Sequence, residues 1–460
     1  MSATSAASGA GYETGFGSKG YRSFVLGSLL LAYIFNFIDR VIISYMSTPI
    51  IDEFDIEYWQ FGLLSGIAFA TFYTFLGIPI ARLAERFSRK IIIGVSIIFW
   101  SLMTALCGLA TSFLMLLLFR LGVGVGEAGL TPPANSLLAD YFKPKSRGAA
   151  IAIYSTGVTI GSFFAAMFVA LFLGAVGWRE TFIAVGLAGI PIGLLILFAV
   201  KEPPRGYTDP PGTVRPTVPG VLETAKALGS NKTFWHVTLG GMAASFVGYG
   251  LVTFFMEFLV RSQGLTVPNA ALYFLAPLAL VGAVGTWLCG FLSTRFGGRS
   301  AVWLPAIALP LAMVFQILGL NVGNIWLVFS FLVVANLCQY FYLGPMYSVA
   351  ASVVDAKMRA TAIAILLFVV NLIGYGLGPL VTGVLIDWMI GFQLSGVEGL
   401  DRAICFGGEA ELSASQTGTC EAARGQGIRH GMSLVVLLFL WGAAHFYFAM
   451  RTIDNDLVSK

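Results

Sequence analysis

Charged residues are scarce in this chain: Asp, Glu, Lys and Arg make up only 11% of its 460 residues, whereas 57% are hydrophobic. A chain with so few charged groups cannot cover a water-exposed surface of this size with polar side chains. This composition excludes a secreted or cytosolic globular enzyme and predicts a membrane protein. With about 20 apolar residues per crossing, the length allows about a dozen transmembrane helices.

Cysteine and histidine are also rare, with five and three residues respectively. The cysteines form no CxxC pair and no Cys/His cluster, so we expect neither a metal centre nor any other cofactor. The sequence contains no HExxH motif, no phosphate-binding loop and no nucleophile–base set, which argues against an enzyme. The net charge of +4 does not by itself indicate a nucleic-acid partner, because membrane proteins concentrate Lys and Arg in their cytoplasmic loops, and no such partner is expected.

Apolar runs predict an all-α membrane protein with twelve transmembrane helices. The runs lie near 22–46, 58–81, 90–110, 112–139, 148–174, 178–200, 234–260, 268–293, 299–319, 324–353, 359–390 and 430–450. The long fourth and tenth spans must be tilted or protrude into the cytoplasm. Most lysines and arginines fall in the loops on one side, and the other side carries only Arg179, Arg261, Arg402, Arg424 and Arg429. This asymmetry predicts that both termini are cytoplasmic and supports an even number of spans.

The predicted spans divide into two bundles of six helices. They occupy residues 22–200 and 234–453, joined by a solvated cytoplasmic linker at 201–233 that is rich in proline. Residues 1–21, rich in Gly, Ser and Ala, and residues 454–460 form cytoplasmic tails, and the first tail lacks the features of a signal peptide.

One long loop, residues 391–428, lies on the outside and contains Cys405 and Cys420. The outer face of a bacterial-type inner membrane is oxidising, so we predict a disulfide between them. The alternative is two unpaired thiols on a mobile loop.

The two halves repeat a loop pattern, with ARLAERFSRK at 81–90 and GFLSTRFGGR at 290–299. Both resemble the signature loop of the major facilitator superfamily, G-x-x-x-D-R-x-G-R-R, although Thr294 replaces the acid in the second copy. The resemblance covers nearly the whole chain and implies the major facilitator fold. It also implies a cytoplasmic gate that holds helix ends together, with the residues Glu85, Arg86, Arg89, Asp140 and Arg147.

Two further motifs narrow the resemblance. The sequence NFIDR at 36–40 and the sequence RLGVGVGEA at 120–128 are similar to those of the Spinster family. The animal members of that family export sphingosine phosphates and lysolipids. The C-terminal half offers no comparable motif, so the resemblance implies the fold more firmly than the substrate.

Four ionisable residues fall inside the spans of the first half: Asp39 and Arg40 in span one, and Arg120 and Glu127 in span four. Arg120 and Glu127 are two helical turns apart on one face, roughly 10 Å. An ionisable group in hydrocarbon costs at least about 2–3 kcal/mol unless it is paired or solvated, so each is a functional candidate. We interpret Asp39 and Glu127 as proton-exchanging acids, and Arg40 and Arg120 as binding an anionic head group. The alternative is a permanently ionised network that fixes helices one and four.

The intramembrane polar residues of the second half are mostly uncharged. Glu257 lies near the outer end of span seven, one turn before Arg261, so an interfacial ion pair and a role in a cavity both remain open. Asn336 and Tyr340 in span ten and Asn371 in span eleven are further candidates for the substrate path. Amides and phenols at this depth also join helices without touching a ligand.

These features together predict a secondary active transporter in the inner membrane. The resemblance to the Spinster family implies that its substrate is an amphiphilic anionic lipid, such as a lysophospholipid or a sphingosine-phosphate-like lipid, and we expect it to be moved by alternating access coupled to protons. The alternative is a proton-coupled symporter of a small hydrophilic organic anion, which needs the same charges. We expect a monomer whose partners are this substrate, protons and the surrounding membrane lipids.

Overall fold

The computed structural model describes residues 14–209, 221–297, 299–355, 357–406 and 412–457. Outside these ranges lie residues 1–13 of the first predicted tail and residues 458–460 of the second. The central part of the predicted linker (210–220) and the middle of the outer loop (407–411) also lie outside them. Throughout the described ranges the regular secondary structure is helical, without strands.

The helices of the first part of the chain follow one another with short connections. They are α1 Lys19–Tyr45, α2 Ser47–Phe54, α3 Tyr58–Ser65, α4 Ile67–Arg86, α5 Arg89–Cys107, α6 Phe113–Glu127, α7 Thr131–Tyr141, α8 Pro144–Ser155, α9 Gly157–Phe168 and α10 Gly174–Ala199, with a π-helical turn at Val169–Leu173 between the last two.

The second part continues in the same manner. Its helices are α11 Val221–Gly229, α12 Lys232–Glu257, α13 Val267–Ala270, α14 Ala276–Phe296, α15 Ser300–Asn321, α16 Ile325–Gln339, α17 Leu343–Ser352, α18 Arg359–Val369, α19 Gly378–Leu394, α20 Arg402–Phe406, α21 Ala414–Val436 and α22 Leu438–Asp456. Three π-helical segments, Phe258–Ser262, Ala271–Leu275 and Val370–Leu377, and a 3-10 turn, Tyr340–Tyr342, join neighbouring helices.

Within the described ranges, eleven helices or runs of joined helices are long and apolar enough to cross a membrane. One of them, Pro144–Ala199, has 56 residues and covers both predicted spans five and six. At Gly177 its backbone leaves the helical conformation (φ 90°, ψ 173°), which favours glycine. At 1.5 Å per residue the whole segment is far longer than one crossing. The count of twelve spans and the cytoplasmic placement of both termini stay predictions.

The fourth predicted span is not one continuous helix. Helix α6 ends at Glu127, residues 128–130 form turns, and α7 starts at Thr131. Pro132 and Pro133 explain the break, because proline has no N–H to donate to the preceding turn and is tolerated in the first turn of a new helix. The break lies directly after Glu127 and sets the end of the helix that carries it.

Large apolar side chains are exposed over much of the helical surface, including Phe198 (82% exposed), Trp326 (77%) and Trp287 (67%). Such extensive apolar exposure suits a surface covered by lipid rather than water. Between helices, glycines allow close approach. A Cβ added to Gly126 would lie 2.7 Å from the Cβ of Trp100 on α5.

The described residues divide into two compact units. The first comprises those within 1–42, 71–168 and 175–216, and the second those within 43–70, 169–174 and 217–460. Residues 43–70, which comprise the end of α1, helices α2 and α3 and the start of α4, therefore belong to the same unit as the helices of the second half. The predicted bundle boundaries at 22–200 and 234–453 stay predictions.

Candidate functional site

The first unit contains a buried cluster of charges on α1 and α6. Arg120 and Glu127 are fully buried, Asp39 is 1% exposed and Arg40 is 8% exposed. These four residues, which the sequence predicts as candidates from their positions in the spans, lie together in the structure.

Arg40 and Glu127 form an ion pair across the two helices. The guanidinium Nη2 of Arg40 lies 2.8 Å from the carboxylate Oε2 of Glu127, and its Nε lies 3.2 Å from the same oxygen. Arg40 also donates to the side chain of Asn36 one turn earlier, at 3.4 Å. The rings of Phe37 and Tyr73 lie 4.7 and 4.6 Å from the guanidinium carbon, in cation–π range. The arginine is therefore held by a carboxylate, an amide and two aromatic rings.

The side chain of Arg120 contacts the main chain of α1. Its guanidinium donates to the carbonyl oxygen of Asp39 at 3.0 Å and to that of Arg40 at 3.5 Å. The Asp39 carboxyl group is close enough to interact electrostatically with Arg120 and Glu127, and it lies beside Trp100 and Thr104 of α5. Asp39 and Glu127 thus interact with each other and share Arg120 as a charged neighbour, so a change of charge at either acid is felt by the other.

The cluster has two acids and two bases, so it is neutral when all four groups are ionised. Among the described residues there is no group of three or more His, Cys, Asp or Glu side chains that could hold a metal ion. The chemistry available at this site is exchange of protons at two carboxyl groups and binding of an anion by guanidinium groups.

The candidates of the second half lie in the second unit. Glu257 is fully buried in the second unit and accepts hydrogen bonds from Ser47, Thr48 and Tyr58. Asn336 is half-buried and donates to the carbonyl oxygen of Leu278 at 2.6 Å, which joins two helices.

Tyr340 and Asn371, the other two second-half candidates, are both half-buried, the first at the 3-10 turn and the second in the π-helical segment after α18. Their roles in a substrate path stay predictions.

The comparisons with known proteins agree with this architecture. The sequence model of the Major Facilitator Superfamily matches residues 29–379. A crystal structure of a bacterial homologue of the human lysosomal transporter Spinster, in an inward-facing and unoccupied conformation, is 40% identical. The alignment covers 96% of this chain and 100% of that chain, with a TM-score of 0.88. This chain belongs to the Spinster family of the major facilitator superfamily.

The predicted major facilitator fold is confirmed, and the protein is a multi-pass membrane transporter rather than an enzyme. Among curated relatives, an MFS-type efflux pump of Mycolicibacterium smegmatis is 28% identical, with 82% of this chain and 87% of that protein covered. A sphingosine-1-phosphate transporter of Danio rerio is 28% identical over 52% of this chain and 47% of that protein.

The Spinster-family chain carries a second buried ion cluster, around Arg89 at the start of α5. Arg89 is 1% exposed and is paired with Asp140 at the end of α7 and with Glu202 after α10, the latter at 2.6 Å. Arg89 also donates to the carbonyl oxygens of Ser136 and Pro203. Three helix ends of the first unit meet at this one guanidinium.

The structure places the predicted cytoplasmic gate residues in different environments. Arg89 and Asp140 are in direct contact. The guanidinium of Arg147 donates a hydrogen bond to the hydroxyl of Thr208 at 2.9 Å. The side chains of Glu85 and Arg86 are exposed.

Sequence reasoning missed Glu202. This carboxylate accepts from the Ser88 hydroxyl and from the main-chain N–H of Lys90, both at 3.0 Å, so it also caps α5. The available signal was an acid followed by two prolines at the end of a span, which we assigned to a solvated linker. Its partners lie more than 110 residues earlier, beyond the reach of a local pattern.

Replacing Arg89 by Ala is expected to destabilise this transporter by about 3 kcal/mol, because it leaves the carboxylates of Asp140 and Glu202 without their shared cation. Arg86→Ala is the matched control, since Arg86 is an exposed arginine three residues away. Thermal unfolding of the detergent-purified proteins, followed by size-exclusion chromatography, measures the difference. Equal loss of stability in both variants would contradict the assignment of Arg89 as the centre of the cluster.

Proposed function

We propose that this protein is a proton-coupled exporter of an anionic amphiphilic lipid, working by alternating access in the inner membrane. The proposed substrate is a lysophospholipid or a sphingosine-phosphate-like lipid. The membership in the Spinster family supports a transporter, and the relative named for sphingosine 1-phosphate supports a lipid with an anionic head group.

The observation that carries the proposal is the buried Arg40–Glu127 pair with Asp39 and Arg120 beside it. Burying four ionisable groups within a membrane helix bundle is costly, and neutral or small residues join helices at lower cost. A purely structural role does not require ionisable groups, whereas proton exchange does.

The position of the cluster along α1 supports a link to conformational change. Asp39 and Arg40 are the last charged residues of α1 before the chain passes from the first unit to the second, between Ile42 and Ile43. Arg120 binds the carbonyl oxygens at this point of the helix. A change in charge at the cluster therefore acts on the backbone next to the point where the chain passes from the first unit to the second.

In the proposed cycle, a proton taken up by Glu127 removes the charge that holds Arg40. The released guanidinium then pairs with the anionic head group of the substrate, while the acyl chain lies against apolar surface. Proton and substrate occupancy bias the same conformational equilibrium, which is the thermodynamic requirement for coupling.

The test is transport of a fluorescent lysophosphatidylglycerol in proteoliposomes of the pure protein, with and without an imposed pH gradient. Lipid that reaches the outer leaflet is extracted with albumin, and its fluorescence is measured. We expect transport to be accelerated by the gradient. Empty liposomes and liposomes carrying the Glu180→Gln variant, which alters an exposed acid outside the cluster, serve as controls.

Two other outcomes would change the conclusion. Lipid movement that ignores the gradient would indicate facilitated flux and a structural charge network. No lipid movement by folded protein, together with gradient-driven uptake of a small labelled organic anion, would favour the hydrophilic-anion symporter.

A further inference from the structure

Helix α2 and the start of α3 contact helices of the second half of the chain through three sets of charged and hydrogen-bonded side chains. We call the segment 47–59 the outer segment, because the distribution of basic residues places it on the outside. All residues that form these contacts belong to the second unit.

The first tie is made by Glu257, which is fully buried at the end of α12. Its Oε1 accepts from the hydroxyls of Ser47, at 3.3 Å, and of Thr48, and its Oε2 accepts from the Tyr58 hydroxyl at 3.1 Å. Arg261 one turn later lies 3.7 Å from the same carboxylate and also pairs with Asp52. The carboxylate is thus satisfied mainly by hydroxyls of the outer segment.

The second tie is made by Arg402 and Asp387. The Asp387 carboxylate accepts from the main-chain N–H groups of Tyr58 and Trp59, at 3.3 and 2.8 Å, and so caps the first turn of α3. Arg402 lies 3.1 Å from Asp387 and 2.8 Å from the Glu57 carboxylate. One arginine therefore bridges a capping acid and an acid of the outer segment.

The third tie is Arg424 on α21. Its Nε donates to the Tyr58 hydroxyl at 2.8 Å, and its Nη2 lies 3.4 Å from Asp52. The centroid of the Phe406 ring lies 5.1 Å from the guanidinium carbon, which places the two groups in cation–π contact.

A disulfide connects the second and third ties. Cys405, on the short helix that carries Arg402 and Phe406, is bonded to Cys420, one turn before Arg424. The two Cα atoms are 5.5 Å apart. Helix α20 has only five residues and cannot hold its position by its own backbone hydrogen bonds. The disulfide anchors α20 to α21 and thereby holds Arg402 and Arg424 beside the outer segment.

We propose that the Cys405–Cys420 disulfide, Arg402 and Arg424 form an external latch that holds the outer segment against the helices of the second half of the chain. With the disulfide intact the latch stabilises this closed arrangement of the outer ends. Reduction to two thiols releases α20, weakens both arginine contacts and favours opening to the outside. The inference rests on the alternating access proposed above, but its test needs neither substrate nor a proton gradient.

The test uses Ser65→Cys as a reporter, since Ser65 lies at the end of α3 and is 3% exposed. A membrane-impermeant maleimide labels the reporter from the outside, and peptide mass spectrometry reads the rate at each cysteine. We expect labelling at least five-fold faster in the Cys405→Ser/Cys420→Ser background, and faster with Arg402→Gln or Arg424→Gln. Adding the arginine changes to the double serine variant should give little further increase.

Arg429→Gln is the matched control. Arg429 also lies on α21 and on the outer side, but it donates to the carbonyl oxygen of Ser262 and not to the outer segment. Its removal should leave the labelling rate within two-fold of the parent.

Reduction of the parent protein provides an independent arm. A membrane-impermeant phosphine converts the disulfide to two thiols and is itself oxidised to the phosphine oxide with oxygen from water. Faster labelling of the Ser65→Cys reporter after reduction supports the latch. Cys107 and Cys289, both buried, serve as internal unreactive references.

Unchanged labelling in the double serine variant, at equal thermal stability, would overturn the proposal. If that variant does not fold, the Arg402→Gln and Arg424→Gln proteins with the disulfide intact decide: an increased rate supports the latch and an unchanged rate overturns it.

Discussion

Replacing Asp39 by Asn or Glu127 by Gln should lower pH-gradient-driven lipid transport by about 10- to 100-fold, the range expected for the loss of a typical coupling free energy. Both changes keep the size of the side chain and remove its ability to carry a charge. The protein should remain folded, because neutralising an acid beside two arginines leaves the guanidinium groups with main-chain and amide acceptors. Rates in proteoliposomes at several external pH values provide the measurement.

The Glu180→Gln protein is the reference for these two variants, because it removes a solvent-exposed acid from the same unit. Its rate and pH dependence should match those of the parent. If the Asp39→Asn and Glu127→Gln proteins both transported lipid with the pH dependence of the parent, the two acids would not carry protons and the cluster would be structural.

Replacing Arg40 by Ala should reduce stability more than any other change in the charge cluster. It leaves the carboxylate of Glu127, which is fully buried, without its cation. Breaking a buried ion pair from one side costs about 3–5 kcal/mol, whereas removing both charges is far less harmful. The double variant Arg40→Ala/Glu127→Gln should therefore be more stable than Arg40→Ala alone.

Thermal unfolding of the single and double variants in detergent completes a double-mutant cycle for this pair. A double variant no more stable than Arg40→Ala would contradict the electrostatic explanation. It would indicate that Arg40 stabilises the bundle mainly by packing against the rings of Phe37 and Tyr73.

The fold was predictable because its signals are local. Apolar runs predict membrane helices, the repeated loops predict two related halves, and intramembrane charges are conspicuous against an apolar background. Asp39, Arg40, Arg120 and Glu127 could be proposed for that reason, and the structure shows that Arg40 meets Glu127. Pairing across 87 residues is itself not encoded in any local pattern.

Other features depend on distant partners and could not be read from the sequence. Glu257 was open to two interpretations because its hydroxyl partners lie about 200 residues earlier in the chain. Glu202 was assigned to a solvated linker because proline-rich sequence normally is solvated. The break after Glu127 was missed because hydropathy stays high across turns at 128–130.

The π-helical segment Val370–Leu377 has a consequence for the register of α19. A π-helical turn accommodates an additional residue without interrupting the helix, and each residue in an α-helix corresponds to a rotation of about 100°. The orientation of everything downstream therefore depends on the number of residues in this segment. Deleting one of them would turn Asp387 away from the first turn of α3, although no residue that contacts Tyr58 or Trp59 had been changed.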